Sequence, residues 1–251
     1  QKMISMMYLV LTAMLALNVS VEILNAFTTV NESVEQSNAT LQSRIDETYN
    51  KFDQQYAINT SKVKENWTKA QELKQLSNEL IGYINNMKYE VISLSEGFSI
   101  EEAKTAKLHL LSSKDNYDVP TNYFINNMHA DSLQMRIENY KSDVKNILPE
   151  KVRDGFDLGL VTDGEYQNAN GEMEDWKTHN FYHTVLAADV ALLNKLIMDV
   201  QNTEYSIVNY LYSSLSEENF KFDKIDVKII PKSNYVFVGE TVDENDPVSE
   251  F

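Results

Sequence analysis

Four residues late in the chain have the types and spacing of metal ligands: Glu172, Asp175, His179 and His183. Steps of three and four residues bring side chains to one face of a helix. Zinc accepts both carboxylate oxygens and imidazole nitrogens, but a zinc-protease helix also needs a Glu beside its first His, which His179 lacks. The alternative is the solvated face of a first helical turn, where acidic residues suit the helix dipole. We favour this alternative, with no metal bound.

Other patterns typical of an enzyme are missing from the sequence. It contains no nucleophile elbow, P-loop or dinucleotide-binding fingerprint. The acidic loop around Asp157, Asp163 and Gly164 does not have the spacing of a calcium loop. His109 and His129 are isolated, and we predict that they pack within or on helices. The sequence therefore predicts a protein that is not an enzyme and has no cofactor.

Composition narrows the class of protein further. The 251-residue chain has a net charge of −16 and no cysteine. Such an acidic balance argues against binding nucleic acid, whose phosphates need Lys and Arg, and against lying on an anionic lipid surface. Small extracellular domains of eukaryotes usually need disulfides. A bacterial envelope protein suits this chain better.

The N-terminal segment predicts a transmembrane helix at residues 1–21. Residues 3 to 21 carry no charge, and 19 such residues rise about 28 Å as a helix, close to the thickness of a bilayer core. A small-x-small cleavage site is not evident, so we expect a retained anchor. Lys2 precedes the segment and Glu22 follows it, which places the N-terminus in the cytoplasm and the bulk of the chain in the periplasm.

We predict that this helix continues unbroken into the stalk, because the first Gly is Gly82 and the first Pro is Pro120. We predict that eight residues contact a twin or a partner helix: Ser5, Tyr8, Leu9, Thr12, Ala13, Ala16, Asn18 and Ser20. Small and weakly polar residues of this set share one helical face, which allows close contact between helices, whereas Asn18 lies nearer the opposite face of Met and Val residues. Either that opposite face meets lipid while the small-residue face meets a twin, or other helices enclose the segment on every side. No Asp, Glu, Lys, Arg or His occurs between residues 3 and 21. If protons cross the membrane here, a partner chain must carry them.

Beyond the membrane segment, apolar residues recur at steps of three and four, as in a coiled coil or a helix bundle. This stalk seam consists of Phe27, Val30, Val34, Asn38, Leu41 and Ile45. Asn38 has two interpretations. It fixes the register between two copies, or it is an ordinary polar residue inside a bundle.

The rest of the chain predicts a bundle domain over residues 22–216, in a mainly α fold. Helices are expected at about 59–95, 121–148 and 173–214. A capping box, Ser99 with Glu102, opens a shorter helix to about residue 112. Four glycines mark residues 154–175 as a long loop. Four long helices joined in this way form a bundle, and alternating residues after 216 predict the start of a longer β-rich domain at 217–251.

Several stretches resemble the GldM/PorM family. Residues 1–10 (QKMISMMYLV), 13–20 (AMLALNVS) and 22–27 are similar to the start of that family. Residues 179–181, 187–188, 192–196 (LLNKL) and 199–202 (DVQN) are similar to a later helix. Residues 231–239, beginning with Pro231, resemble the start of the family's second periplasmic domain.

The resemblance implies an inner-membrane component of the type IX secretion and gliding machinery of Bacteroidetes. Members dimerise, and their two membrane helices sit inside a pentamer of the partner GldL/PorL. Proton flow through that partner is thought to rotate the dimer. The periplasmic part then carries torque to outer-membrane and periplasmic ring components of the secretion apparatus.

A rival interpretation is a chemoreceptor-type or kinase-sensor domain, which also joins a membrane helix to a periplasmic four-helix bundle. Such a sensor normally needs a second membrane helix to return to the cytoplasm. This sequence turns to β structure instead, so we prefer the motor subunit.

Overall fold

Helices make up most of the part of the chain that the structure describes. The computed structural model describes residues 4–8, 20–156, 158–168 and 170–219. The helices are α1 Val21–Ile58, α2 Thr60–Glu96, α3 Ile100–Thr105, α4 Asp118–Thr121, α5 His129–Ile147, α6 Glu150–Arg153, α7 Trp176–Phe181 and α8 Leu186–Asn219. The remaining elements are short. They are a 3-10 turn (Leu108–Leu110), a π turn (Asn122–Asn126) and two antiparallel strands, β1 (Tyr166–Gln167) and β2 (Met173–Glu174). The predictions of a mainly α fold and a long-helix bundle are confirmed.

Two predicted segments fall largely outside the described residues. They are the transmembrane helix at 1–21 and the β-rich region from 217, of which the structure describes only residues 4–8, 20–21 and the end of α8. Among the described helices, none combines the length and the apolar character needed to cross a membrane.

Three long helices, α1, α2 and α8, form what we call the shaft. They contain no proline and a single glycine, Gly82, so little in their sequences interrupts helical hydrogen bonding. Asn59 alone separates α1 from α2, and its side-chain oxygen caps α2 by accepting from the Lys62 N–H. Gly97 ends α2 with the left-handed φ of 74° that glycine adopts easily. The predicted second helix is therefore confirmed at both ends.

The first and last helices of the shaft run in the same direction. Asn31 of α1 is hydrogen-bonded to Asn194 of α8. Further along both helices, Gln42 is bonded to Gln201. Since α1 has 38 residues, it is about 57 Å long. The chain thus enters the shaft at one end and leaves α8 at the other.

The prediction of one unbroken helix from the membrane segment into the stalk is wrong at Ser20. Its backbone is extended, with φ −64° and ψ 145°, and its Oγ accepts a hydrogen bond from the Ile23 N–H at 3.3 Å. These are the marks of a helix N-cap. A serine side chain can accept a hydrogen bond from the free N–H groups at the start of a helix. This local bond competes with a helical conformation of the serine itself. The stalk helix therefore begins at Val21.

Residues 98–185 form the lobe, which packs beside the shaft, with α5 against α2. The capping box at Ser99 and Glu102 is confirmed, but α3 ends at Thr105 instead of near residue 112. The predicted helix 121–148 is interrupted by the π turn and by Met128, whose φ is 59°. Aromatic contacts accompany this irregular segment. Tyr123 stacks locally on His129 at 4.0 Å, and Phe124 stacks on Phe181 of α7 at 4.4 Å.

The predicted helix 173–214 is two helices. His183 has a φ of 54° and donates its N–H to the Thr121 hydroxyl at 3.1 Å. α8 then starts anew, with the Leu186 N–H donating to the Asn116 carbonyl at 2.8 Å. It runs on to Asn219, past the predicted end at 214. The predicted loop 154–175 also contains the hairpin of β1 and β2, which the sequence did not indicate.

Candidate functional site

The four candidate metal ligands do not share a helical face. Glu172 lies before β2, Asp175 caps α7, His179 lies within α7 and His183 lies between α7 and α8. The array was predicted from one continuous helix, and the break at His183 removes that arrangement. Across the described ranges 20–156, 158–168 and 170–219, no group of three or more His, Cys, Asp or Glu residues is placed to hold a metal ion.

His179 instead fastens the hairpin to α7. Its Nδ1 lies 2.8 Å from Glu174 Oε1, and its ring stacks on Tyr166 at 4.3 Å. Asp175 accepts from the Thr178 N–H at 2.9 Å, which caps the helix. These contacts give the acidic and imidazole groups a structural role in this segment.

The predicted membrane-helix face is only partly described. Leu9, Thr12, Ala13, Ala16 and Asn18 lie outside the described residues. Ser5 and Tyr8 belong to a helical, exposed segment at 4–8, and Ser20 is the N-cap of α1.

Most of the predicted stalk seam faces other parts of the same chain. Phe27, Val34, Asn38, Leu41 and Ile45 are buried or half-buried, whereas Val30 is 54% exposed. Asn38 Nδ2 donates to the Asn194 carbonyl of α8 at 3.0 Å. At Asn38 the structure therefore shows a polar contact within a bundle.

A second set of residues, which we call the polar seam, joins α1 to α8 along the shaft. It consists of Asn31, Glu35, Gln42 and Tyr49 of α1, Asn194, Gln201 and Glu204 of α8, and Lys88 of α2. Buried polar groups are stable only when they are hydrogen-bonded. Their partners therefore decide how the helices fit together.

The first layer of the seam centres on Asn194, which is 2% exposed. Its Nδ2 donates to Asn31 Oδ1 at 2.7 Å and to Glu35 Oε1 at 3.1 Å. Its Oδ1 accepts from Lys88 Nζ at 2.8 Å. Burial lowers the pKa of Lys88, and the negative charge of Glu35 opposes this shift. One side chain of α8 thus binds both α1 and α2.

The second layer is an amide pair. Gln201 Nε2 donates to Gln42 Oε1 at 2.9 Å, and Gln42 Nε2 donates to Asp46 Oδ1 at 3.0 Å. The third layer lies deeper. Tyr49 donates from its hydroxyl to Glu204 Oε1 at 2.9 Å and lies 3.1 Å from the Ala70 carbonyl of α2.

Burial raises the pKa of Glu204 to about 7, although the hydrogen bond from Tyr49 and the charge of Lys74 lower it. Lys74 Nζ lies 4.7 Å from the centre of the Tyr49 ring. Nearby, Ser77 of α2 and Tyr140 of α5 share a buried hydrogen bond of 3.0 Å. The three shaft helices and α5 of the lobe therefore all contribute polar groups at this level.

This arrangement suits holding helices in register better than it suits a reaction. Sliding or turning α8 against α1 would separate these bonds and leave buried polar atoms unpaired, at about 1–3 kcal/mol each. Sequence reasoning missed the α8 members of the seam. Their signal was present, because Asn194, Gln201 and Glu204 interrupt the apolar face of α8 at helical spacing.

The whole polar seam lies within a region that matches a known family. Residues 22–214 match the family model of the GldM N-terminal domain, which covers more than half of the chain. No curated protein matches the chain.

Proposed function

Because the chain belongs to the GldM family, and is thereby a component of the gliding and type IX secretion machinery, we propose that it is the rotating subunit of a proton-driven motor. In this proposal it is anchored in the bacterial inner membrane by a single pass, with its N-terminus in the cytoplasm. Two copies form a homodimer inside a pentamer of a GldL/PorL-like partner. The periplasmic part passes torque to the periplasmic and outer-membrane ring components.

The observation that carries the proposal is the parallel course of α1 and α8. The chain enters the shaft at Val21 and leaves α8 at Asn219, at opposite ends. Force applied to α1 reaches α8 through the polar seam along the shared length of the two helices, and not only through the covalent chain. Such a domain transmits motion from the membrane side to whatever follows residue 219.

The break at Ser20 changes how stiffness arises. The sequence had suggested one rigid rod running from the membrane segment. In the structure the stalk helix begins at Val21 and packs against α2 and α8, so in this proposal the stiffness comes from three packed helices. Packing of several helices resists bending and twisting better than one isolated helix does.

Other features support the motor over a sensor. The uncharged residues 3–21 contain no Asp, Glu, Lys, Arg or His, which is consistent with a partner chain that carries the protons. In a sensor bundle that returns to the membrane, the start of the first helix and the end of the last helix lie at the same end of the bundle. Here α8 ends far from the start of α1.

A flexible insertion tests torque transmission. We expect a Gly-Ser-Gly-Ser-Gly insertion after Asn219 to abolish gliding and secretion, because free rotation at this point uncouples the downstream part. The same insertion after Ile58, in the exposed connection between α1 and α2, is the matched control and should be tolerated. A passive tether would tolerate both insertions, and normal gliding with the first one would refute the motor.

Co-purification tests assembly separately. We expect two copies of this chain with a pentamer of the partner, and Thr12→Phe or Ala16→Phe should prevent that assembly while the shaft still folds. Recovery of this chain only as a free monomer would contradict the proposed assembly.

A further inference from the structure

The outward side of the lobe carries four exposed apolar side chains, Met128, Met135, Val161 and Met173. Each is 60–61% exposed. We call them the apolar patch. Single exposed apolar residues are common and need no explanation, whereas contiguous ones mark interaction sites. What matters is therefore whether these four lie together.

Contacts between α5 and the following loop bring three of them together. Met135 belongs to α5, and Met128 precedes that helix as its N-cap. The two are seven residues apart, which is about two turns, so they lie toward the same face. Gln134, beside Met135, donates from Nε2 to the Thr162 carbonyl at 2.8 Å. Val161, the neighbour of Thr162, is thereby held beside α5.

An ion pair brings the fourth residue to the same place. Asp131 lies one turn before Met135 and is paired with Lys177 of α7. Asp175 Oδ2 lies 3.8 Å from the same Lys177 Nζ. Met173 precedes Asp175 by two residues, so it lies near the N-terminal half of α5.

The hairpin also turns Met173 outward. Glu174 contacts His179 of α7, and its cross-strand partner Tyr166 stacks on that same ring. Successive side chains of a strand point to opposite faces. Met173 therefore lies on the face of the hairpin away from α7.

The rim of the patch is strongly negative. Residues 154–175 contain seven Asp and Glu residues and no Lys or Arg. Of these, Asp163, Glu165 and Glu172 are exposed. Of the nearby cations, Lys177 is already paired with Asp131, and Arg136 lies over the Tyr83 ring, 4.2 Å from its centre. The field around the patch therefore attracts a cationic partner and steers its approach.

We propose that the apolar patch docks a basic amphipathic segment of a partner protein, with aliphatic side chains against the methionines and Lys or Arg against the acidic rim. Methionine side chains are flexible and polarisable, and they adapt to apolar partners of varied shape. The same rim repels an anionic lipid surface. The rim also repels the same acidic rim on a second copy of the chain. Charge therefore favours a basic partner over a lipid surface or a self-contact. This inference does not depend on the proposed motor function.

A model peptide provides the test. The full chain is immobilised in nanodiscs of zwitterionic lipid, with empty nanodiscs as the reference. The probe is an 18-residue helical peptide with Leu on one face and Lys on the other. We expect saturable binding that weakens as salt screens the rim. Two control peptides, with Glu replacing Lys and with Ser replacing Leu, should bind at least about ten-fold more weakly, a difference well above the effect of single rim contacts.

Variants of the chain locate the binding. The triple change Met135→Ser, Val161→Ser, Met173→Ser should weaken the Leu–Lys peptide at least about ten-fold. The matched control, Leu94→Ser with Leu110→Ser, removes apolar side chains that are at least as exposed to within one percentage point, 59% and 72%, and it should leave binding of the Leu–Lys peptide unchanged. If the triple variant does not fold, the pair Asp163→Asn and Glu165→Gln at exposed positions should still weaken binding and reduce its salt dependence.

Three results would overturn the proposal. They are no saturable binding of the Leu–Lys peptide, equal binding of the Leu–Glu peptide, and loss of binding in the Leu94 and Leu110 control.

Discussion

The shaft and the lobe achieve order in different ways. The shaft has three helices of 34, 37 and 38 residues, joined by buried Asn, Gln and Glu side chains. The lobe has helices of 4 to 19 residues, two non-glycine residues with positive φ, and stacked aromatic rings. Only the lobe carries the apolar patch. The contrast indicates that the shaft is built to keep its helices in register, while the lobe is built to present a surface.

Removing one large ring from each region should show the contrast most strongly. Phe52 of α1 is fully buried and packs edge-on against Tyr212 of α8. Phe52→Ala should lower the free energy of unfolding by about 3–5 kcal/mol, measured by urea unfolding. Hydrogen exchange should then increase in all three shaft helices, because the cavity weakens their common packing.

Phe124→Ala is the matched change in the lobe, where Phe124 is fully buried and stacks on Phe181 at 4.4 Å. We expect faster exchange in α4, α5 and α7, with the shaft still protected. Equal acceleration in both regions after either change would show that shaft and lobe form one cooperative unit.

The next largest change in stability is expected from removing the titratable group of Glu204. Burial raises its pKa from 4.5 to about 7, so the folded state favours the protonated form. The stabilisation that follows from this preference is fully present below pH 4.5. It is lost as the pH rises through 7, which lowers the free energy of unfolding by about 3 kcal/mol. Glu204→Gln keeps the neutral shape. It should therefore stabilise the protein at pH 8 by about 3 kcal/mol and have little effect at pH 4.5.

Thermal unfolding at a series of pH values checks this prediction. The control is Glu72→Gln, at an exposed position of α2, which should leave the pH dependence unchanged. A destabilised Glu204→Gln variant at pH 8 would mean that the ionised carboxylate is the stable form in the seam.

The third largest change in stability is expected at Asn194, the centre of the first layer of the polar seam. Asn194→Ala leaves Lys88, Asn31 and Glu35 without their shared partner, and should cost about 2 kcal/mol in denaturant unfolding. Asn202→Ala, at an exposed position of the same helix, should stay within about 0.5 kcal/mol of the parent. Equal effects of the two substitutions would remove the energetic argument for the polar seam.

The smallest effect is expected at a cap in the lobe. Ser99 and Glu102 bond reciprocally at the start of α3, and Ser99→Ala should cost about 1 kcal/mol. Hydrogen exchange should report the change within α3 alone. The control is Ser37→Ala, on an exposed turn of α1, which also removes a serine hydroxyl. We expect it to leave the free energy of unfolding unchanged.

The same contrast explains which features the sequence could predict. The ends of α2 follow from local chemistry, because Asn59 caps its start and Gly97 adopts left-handed backbone at its end. The cap at Ser99 was equally local. Long apolar stripes without Gly or Pro then sufficed to predict the helices of the shaft.

Features that depend on tertiary contacts were not predicted. His183 adopts positive φ where its N–H donates to the Thr121 hydroxyl, and Met128 does so beside the His129 ring, which stacks on Tyr123. Ser20 gave a local signal, but that signal competed with a long run of residues that also favour a helix. The partners of Asn194 lie more than 100 residues away in the chain, so periodicity alone does not identify them.

α1 and α8 should move as one mechanical unit. Since the chain has no cysteine, Glu22→Cys and Asn219→Cys provide unique handles for pulling the full chain with optical tweezers. We predict that α1, α2 and α8 unfold in a single step, and that Asn194→Ala lowers the force while keeping one step. Separation of α8 at low force, before α1 and α2 unfold, would contradict the account.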